Sequence, residues 1–182
     1  MSPVIEAVTD RLVLRRLGES DFDPFSAMNA DPNVMRYFPR TLAPAETREM
    51  MNRNDAHFER HGFGFWAVEM QATGEFAGFI GLGVPGFAAH FTPCVEIGWR
   101  LASSFWNRGI ATEGARAILD RAFHTYQLRE IIAFTTVTNL PSRRVMEKIG
   151  MTYNPRDNFL HPNIEEGDPL RPHVLYRRSP LP

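Results

Sequence analysis

From Ala111 to Tyr126, apolar residues recur at helical spacing: Ala111, Ala115, Ile118, Leu119, Ala122, Phe123 and Tyr126. A helix with one apolar stripe is stable only when that stripe is buried against another element. Two candidates flank it. Pro93 to Leu101 and Glu130 to Val137 (EIIAFTTV) are rich in β-branched and aromatic residues and are expected as strands. A buried helix between two strands restricts the chain to an α/β or α+β domain.

The rest of the pattern fits that frame. Arg11 to Leu17 (RLVLRRL) alternates in part and is expected as a strand. Ser20 is the expected N-cap of a short helix through Phe22, Phe25 and Met28, with Asp21 and Asp23 suiting its first-turn dipole. A second helix is expected from Pro44 to His61, with Met50, Met51, Asn54 and Phe58 on one side and Gly62 ending it. Phe65 to Met70 and Phe76 to Leu82 are expected as strands joined by a turn at Ala72-Thr73-Gly74. After the long helix and its following strand, Asn139 caps a last helix, with Pro141 in its first turn and Gly150 just past its end. Val145, Met146 and Ile149 are that helix's buried stripe. Residues 154–172 are polar and rich in proline, which suits a long loop, and Val174 to Arg178 is expected as a final strand. The order is β-α-α-β-β-β-α-β-α-β with a mixed sheet. With no internal repeat or linker, residues 1–182 are expected as a single domain.

Composition narrows the function. Lys and Arg number 20 against 21 Asp and Glu, a formal net charge of −1, whereas wholesale nucleic-acid binding demands a net basic face. The most apolar stretch, Gly78 to Ala89, is shorter than the roughly 18 residues a membrane span needs and is broken by Pro85. Met1 to Asp10 has no basic segment followed by an apolar one, so no secretory signal is expected. The single cysteine, Cys94, excludes an intramolecular disulfide framework and a Cys-rich metal site. A cytoplasmic location is expected on these grounds. Three local patterns are set aside. Gly81-Leu82-Gly83-Val84-Pro85-Gly86 lacks the following helix that a dinucleotide fingerprint requires. His57 and His61 have metal-ligand spacing without a third ligand and are expected as a surface pair. Cys94 is expected as a small, partly buried residue rather than a nucleophile.

Two places can carry chemistry. Asn107-Arg108-Gly109-Ile110-Ala111-Thr112 leads directly from a polar-aromatic loop into the long helix. The first N–H groups of a helix lack internal partners, and Gly109 and Ala111 allow a ligand close to the backbone. With the cation of Arg108 alongside, the segment suits a pyrophosphate, although a simple hydrated turn has the same local features. Thr138-Asn139-Leu140-Pro141-Ser142-Arg143-Arg144 presents an amide, a hydroxyl and two guanidiniums at another helix start, where a plain N-cap is the competing account.

Together with Thr9-Asp10-Arg11-Leu12-Val13-Leu14-Arg15 and Glu96-Ile97-Gly98-Trp99, these tracts resemble the GNAT superfamily of acyl-CoA-dependent N-acetyltransferases, in the branch typified by the ribosomal-protein N-terminal acetyltransferases. The superfamily pattern Q/R-x-x-G-x-G/A is met at Gly109 and Ala111, with Trp106 at its first position. The resemblance implies a central, mixed, mostly antiparallel sheet, splayed open between the strands that end near Leu101 and Val137 and flanked by helices. It implies acetyl-CoA as co-substrate, no metal, and an amine acceptor. Backbone at Trp99, Arg100 and Leu101 would pair with the pantetheine arm. The N–H groups of Asn107, Arg108, Gly109, Ile110, Ala111 and Thr112 would hold the pyrophosphate, and Asn139, Ser142 and Arg143 would line the other side. The amine attacks the thioester directly in this superfamily, so Glu96 is the candidate base. Many relatives carry the proton donor as a tyrosine in the helix after Asn139; with Val145 and Met146 but no tyrosine in that segment here, Ser142 is the available substitute. A backbone N–H near Ile97 or Gly98 is the expected oxyanion donor. The acceptor pocket is expected between the first two helices and residues 154–172, where Glu165, Glu166 and Asp168 either attract a cationic amine or form a solvated loop. The alternative function is a catalytically silent acyl-CoA-binding module. Homodimers, common in the superfamily, are among the assemblies the resemblance allows.

Overall fold

Residues 5–180 are described by a computed structural model. The elements run β1 (Ile5–Val8), β2 (Leu12–Arg15), α1 (Phe22–Ala30), α2 (Pro32–Met35), α3 (Pro44–His61), β3 (Phe65–Met70), β4 (Phe76–Gly83), β5 (Glu96–Leu101), α4 (Ile110–His124), β6 (Ile131–Thr136), α5 (Leu140–Lys148), β7 (Thr152–Tyr153), β8 (Phe159–Leu160) and β9 (Pro172–Arg178). All the strands join one sheet in the order β1-β2-β3-β4-β5-β6-β9-β7, with β8 also on β9. Every pairing is antiparallel except β5 with β6, so the sheet is mixed and mostly antiparallel, as expected.

The two faces carry separate cores. α4 buries Ile110, Ala115, Ile118, Leu119 and Ala122. These pack with Ile80, Ile97, Leu101, Ile131 and Ala133 of the sheet, and Met146 and Ile149 from the α5 end join them. On the opposite face, Phe25, Met28, Val34 and Met51 cover Phe79. Farther along that face, Phe91 packs with Ile132 and Leu175, and Phe134 and Phe159 complete the cluster. Alternation along a strand fixes this division. In β5, Ile97 and Leu101 face α4, and Glu96, Gly98 and Arg100 face the other way.

Several local expectations need correction. Ser20 is not a helix cap. A short 3₁₀ turn spans Glu19–Asp21, and Asp21 is the residue that organises this entrance. Its carboxylate accepts from Gly18 N at 2.8 Å and takes two bonds from Arg15, Nη1 at 2.7 Å and Nη2 at 2.8 Å. Strand β1 and helix α2 were not anticipated, because each is only four residues long and carries no periodic signal. Residues 154–172 are less irregular than their composition suggests: β8 forms there, and the Phe159 ring sits 4.8 Å from that of Phe91.

Asp21 and Arg15 are nearly out of solvent, with side chains 4% and 10% exposed, and Arg15 also donates to Glu69 at 2.8 Å. The bidentate bond to Asp21 raises the Arg15 pKa above its ordinary value. Removing one partner strands a buried charge. Asp21→Ala is therefore expected to lower unfolding free energy by about 3–5 kcal/mol in urea titration. Adding Arg15→Met should restore part of that loss.

Candidate functional site

The parallel pairing of β5 with β6 is confined to one register pair, Glu96 with Ile132, where Ile132 N–H donates to Val95 O at 3.0 Å. Beyond it the two strands diverge. On its other edge β5 remains fully paired to β4, from Gly83 with Glu96 to Gly78 with Leu101. Ala102 N donates to Ala77 O at 3.0 Å, which sets the alternation of bonds along this antiparallel pair. By that alternation the backbone groups of Gly98 and Arg100 turn to β4, and those of Trp99 and Leu101 turn into the gap. The Leu101 carbonyl is taken by Trp106 Nε1 at 2.9 Å. The open backbone donors thus belong to Trp99 and Leu101. Arg100 contributes no backbone donor to the gap, and the oxyanion donor expected at Ile97 or Gly98 falls beside the last pair or toward β4; the first N–H past it that faces the gap is that of Trp99.

Asn107 and Gly109 both have left-handed backbones, with φ of 59° and 78°. This folds the chain so that successive N–H groups converge at the start of α4. Among the described residues, no backbone carbonyl accepts from N–H of residues 107–112 across this entrance; the first such bond is Glu113 N to Gly109 O at 3.0 Å. The loop is braced from far away in sequence. Arg11 Nη1 donates to Arg108 O at 2.9 Å, and Arg11 Nε donates to Glu113 Oε2 at 2.7 Å. Thr9 Oγ1 donates to the other Glu113 oxygen at 2.6 Å. Sequence inspection gave Thr9, Arg11 and Glu113 no role, since partners about a hundred residues apart leave no local signal.

Across the gap, Asn139 does act as an N-cap: its Oδ1 accepts from Ser142 N at 3.3 Å. Its Nδ2 donates to Thr135 Oγ1 at 2.9 Å and to Ser142 Oγ at 3.1 Å. That leaves the Ser142 hydroxyl proton uncommitted. Arg143 turns back onto the protein, donating to Val137 O at 3.2 Å and to the Tyr176 hydroxyl at 3.3 Å.

On the face away from α4, a pocket of about 280 Å³ opens between α1, α3 and the sheet, lined by Phe25, Met50, Asn54, His57, Phe65 and Phe79 among others. Helices α1 and α3 line this pocket, and residues 154–172 do not. Phe65 ends the pocket beside Glu96. A Cβ placed on Gly83 would lie 3.3 Å from both Glu96 Oε1 and the Phe65 ring, so the absent side chain leaves the space those groups border. Burial there pushes the Glu96 carboxyl up to about 7. Desolvation alone holds the proton on.

His57 does pair with His61, their rings 4.4 Å apart, but it is half-buried. Val84 N donates to its Nε2 at 3.1 Å and its Nδ1 lies 2.8 Å from Phe63 O, which makes the ring a strut at the pocket wall. Burial, with Glu96 nearby, pushes the Cys94 thiol up to about 11, so it is not a thiolate near neutral pH. Glu165 and Glu166 are exposed on their loop, and Asp168 accepts from Leu170 N at 2.8 Å.

Comparison with known proteins is consistent across sequence and structure. A family model described as an acetyltransferase (GNAT) domain matches residues 11–152. Protein YkkB of Bacillus subtilis is 37% identical over 155 residues, 85% of this chain and 89% of that one. The FsC-acetyl coenzyme A-N(2)-transacetylase of Aspergillus fumigatus is 34% identical over 176 residues, 88% of this chain and 72% of that protein. The structure of RimL, a ribosomal L7/L12 alpha-N-protein acetyltransferase in complex with coenzyme A, shares the fold with a TM-score of 0.77 at 20% identity, covering 96% of this chain and 97% of that one.

A raised carboxyl pKa has a consequence for stability. Unfolded, Glu96 ionises near 4.5; folded, it keeps its proton until about 7. The native state therefore binds more protons between those values, and stability falls as pH rises through them. The contribution is whole below about 4.5 and gone above about 7. Unfolding free energies at pH 5, 6, 7 and 8 should decline across this window in the native sequence, and Glu96→Gln should flatten the decline.

Proposed function

The chain belongs to the GNAT family of acetyltransferases, and from that premise we propose that it transfers the acetyl group of acetyl-CoA to a primary amine, on a protein N-terminus or a small molecule. The observation that carries this reading is the parted sheet with unpaired backbone donors at both ends of the opening: Trp99 and Leu101 along β5, and residues 107–112 at the start of α4. An extended amide-bearing arm can pair with the first set as an added strand does, and a diphosphate suits the second. Acetyl-CoA supplies such an arm, such a diphosphate and an activated thioester.

The chain's own residues then have defined tasks. The Trp99 N–H faces the gap and is available to an oxygen that gains negative charge during attack. Glu96 lies on the opposite side of β5 from α4, toward the acceptor pocket, and accepts a proton from the attacking amine directly or through water. A carboxyl poised near 7 suits that task, because it is substantially ionised at neutral pH yet basic enough to take a proton. An α-amine with pKa near 8 is roughly a tenth neutral at pH 7, while a lysine-type amine is under about a thousandth, so the demand on Glu96 is lightest for an N-terminus. Ser142 holds its oxygen on the Asn139 amide and has a proton to give to the departing sulfur.

Free-thiol release from acetyl-CoA against N-terminal peptides, amino acids, polyamines and aminoglycosides tests the reading; tight cofactor binding with no turnover by any acceptor would leave a silent binding module instead. Gly109→Val places a β-branched residue at φ of 78° and should cut acetyl-CoA affinity at least tenfold by calorimetry, with a native circular dichroism spectrum. Glu96→Gln should abolish the acidic limb of the pH–rate profile near 7. Ser142→Ala should lower kcat more than it raises KM.

A further inference from the structure

Arg100 is a half-buried cation that has no anion beside it among the described residues. Its side chain leaves β5 on the same face as Glu96, toward α1 and the loop after α2. Nη1 donates to Asn29 Oδ1 at 2.6 Å. Asn29 is 0% exposed, and its Nδ2 donates to Thr47 Oγ1 at 3.1 Å, so the amide oxygen is fixed toward the guanidinium. The Phe38 ring lies 4.2 Å from the guanidinium carbon and the Phe79 ring 5.3 Å. Nε is shut off from solvent and has no partner. A guanidinium has five N–H donors, and one protein acceptor is present for them.

Other arginines of this chain show what is missing. Arg15 has Asp21 and Glu69, Arg177 has Glu130 and Asp157, and Arg121 has Glu6. Among the described residues no carboxylate forms such a pair with Arg100. Burial lowers its pKa to about 10, which still leaves it charged at neutral pH. A guanidinium set on a buried amide between aromatic rings, with its Nε sealed from solvent and unpartnered, is incomplete without an anion.

Resting on the acetyl-transfer reading above, we propose that Arg100 binds a carboxylate of the acceptor and thereby selects anionic, elongated amines. Four residues of strand, at roughly 3.3 Å each, put the Arg100 and Glu96 backbones about 13 Å apart. An acceptor whose amine reaches Glu96 while its carboxylate reaches Arg100 spans three to four extended residues. That length favours a peptide over a free amino acid. It fits a peptide whose N-terminus is acetylated and whose acidic side chain, or C-terminal carboxylate, lies three or four residues on.

The test compares matched acceptors with the native enzyme and with Arg100→Gln. One pair of C-terminally amidated pentapeptides differs only by Asp or Asn at position four; a second pair of tetrapeptides differs only by a free or amidated C-terminus. For the native enzyme, kcat/KM should favour the acid member of at least one pair about tenfold or more, as charge-assisted bonds do. Which pair responds identifies the source of the carboxylate. In Arg100→Gln that ratio should fall to near one, with acetyl-CoA affinity by calorimetry unchanged. Equal rates for acid and neutral members in the native enzyme overturn the inference while leaving acetyl transfer intact. So does a ratio that survives Arg100→Gln, or a variant that loses acetyl-CoA affinity with the ratio unchanged. Thermal shifts of the native enzyme with the N-acetylated product peptides provide a readout that needs neither turnover nor the variant. A larger shift with the acid product supports the carboxylate site even where no acceptor releases thiol, an outcome that refutes the acetyl-transfer reading separately; equal shifts refute the site.

Discussion

The single register pair between β5 and β6 is the constraint from which the site follows. A continuous parallel pair would have used the inner edge of β5, and no extended ligand could then add to it. Because the strands part after Glu96 and Ile132, Trp99 and Leu101 keep backbone donors pointed into the opening. The same two strands each run into a helix, so the starts of α4 and α5 both arrive at the mouth of the gap, where parallel strands characteristically place ligands. The opening has its own supports. Trp106 satisfies the Leu101 carbonyl, and the Arg11–Glu113–Thr9 network holds the loop before α4 from the outer part of the sheet.

Strand alternation then separates two tasks on one six-residue segment. Ile97 and Leu101 anchor β5 to α4 through the large core, while Glu96 and Arg100 reach the opposite face. There the surroundings act in opposite directions on opposite charges. Desolvation raises the Glu96 carboxyl toward neutrality and lowers the Arg100 guanidinium, yet only Glu96 comes within reach of pH 7. One strand face therefore presents a carboxyl that titrates near neutrality and a guanidinium that stays charged there, with the apolar pocket of Phe25, Phe65 and Phe79 beside them. That combination suits an acceptor with an amine at one end and an anion farther along.

Much of this was legible in the chain itself, for identifiable reasons. Helix α3 begins at Pro44 and ends at His61 with Gly62 in the left-handed conformation, because proline and glycine punctuate a periodic segment from within. The Asn139 cap and the Gly109 turn are equally local. Expectations failed where an element is too short to carry a periodic signal, as at β1 and α2, and where a side chain's role is set by its partners in the fold. Ser20 has a cap's composition, but its neighbour Asp21 takes the bonds, from Gly18 three residues and Arg15 six residues before it, a choice between adjacent polar residues that composition leaves open. His57 looked like surface because Val84 and Phe63 reach it only after α3 docks on the sheet.

Sequence alone determined the order of the longer strands and helices, the two helix starts that carry glycine, asparagine and serine, and the family to which these tracts belong. Periodicity, turn chemistry and capping act within a few residues, so they survive translation into one dimension. The tertiary structure alone decided which edge of β5 is open and which of its residues offers backbone or side chain. It also decided that Glu96 is desolvated, that Arg100 has no counterion among the described residues, and that Arg11 braces a loop near Arg108. Each of those depends on distance and exclusion of water between segments far apart in the chain, and neither quantity exists until the sheet has formed.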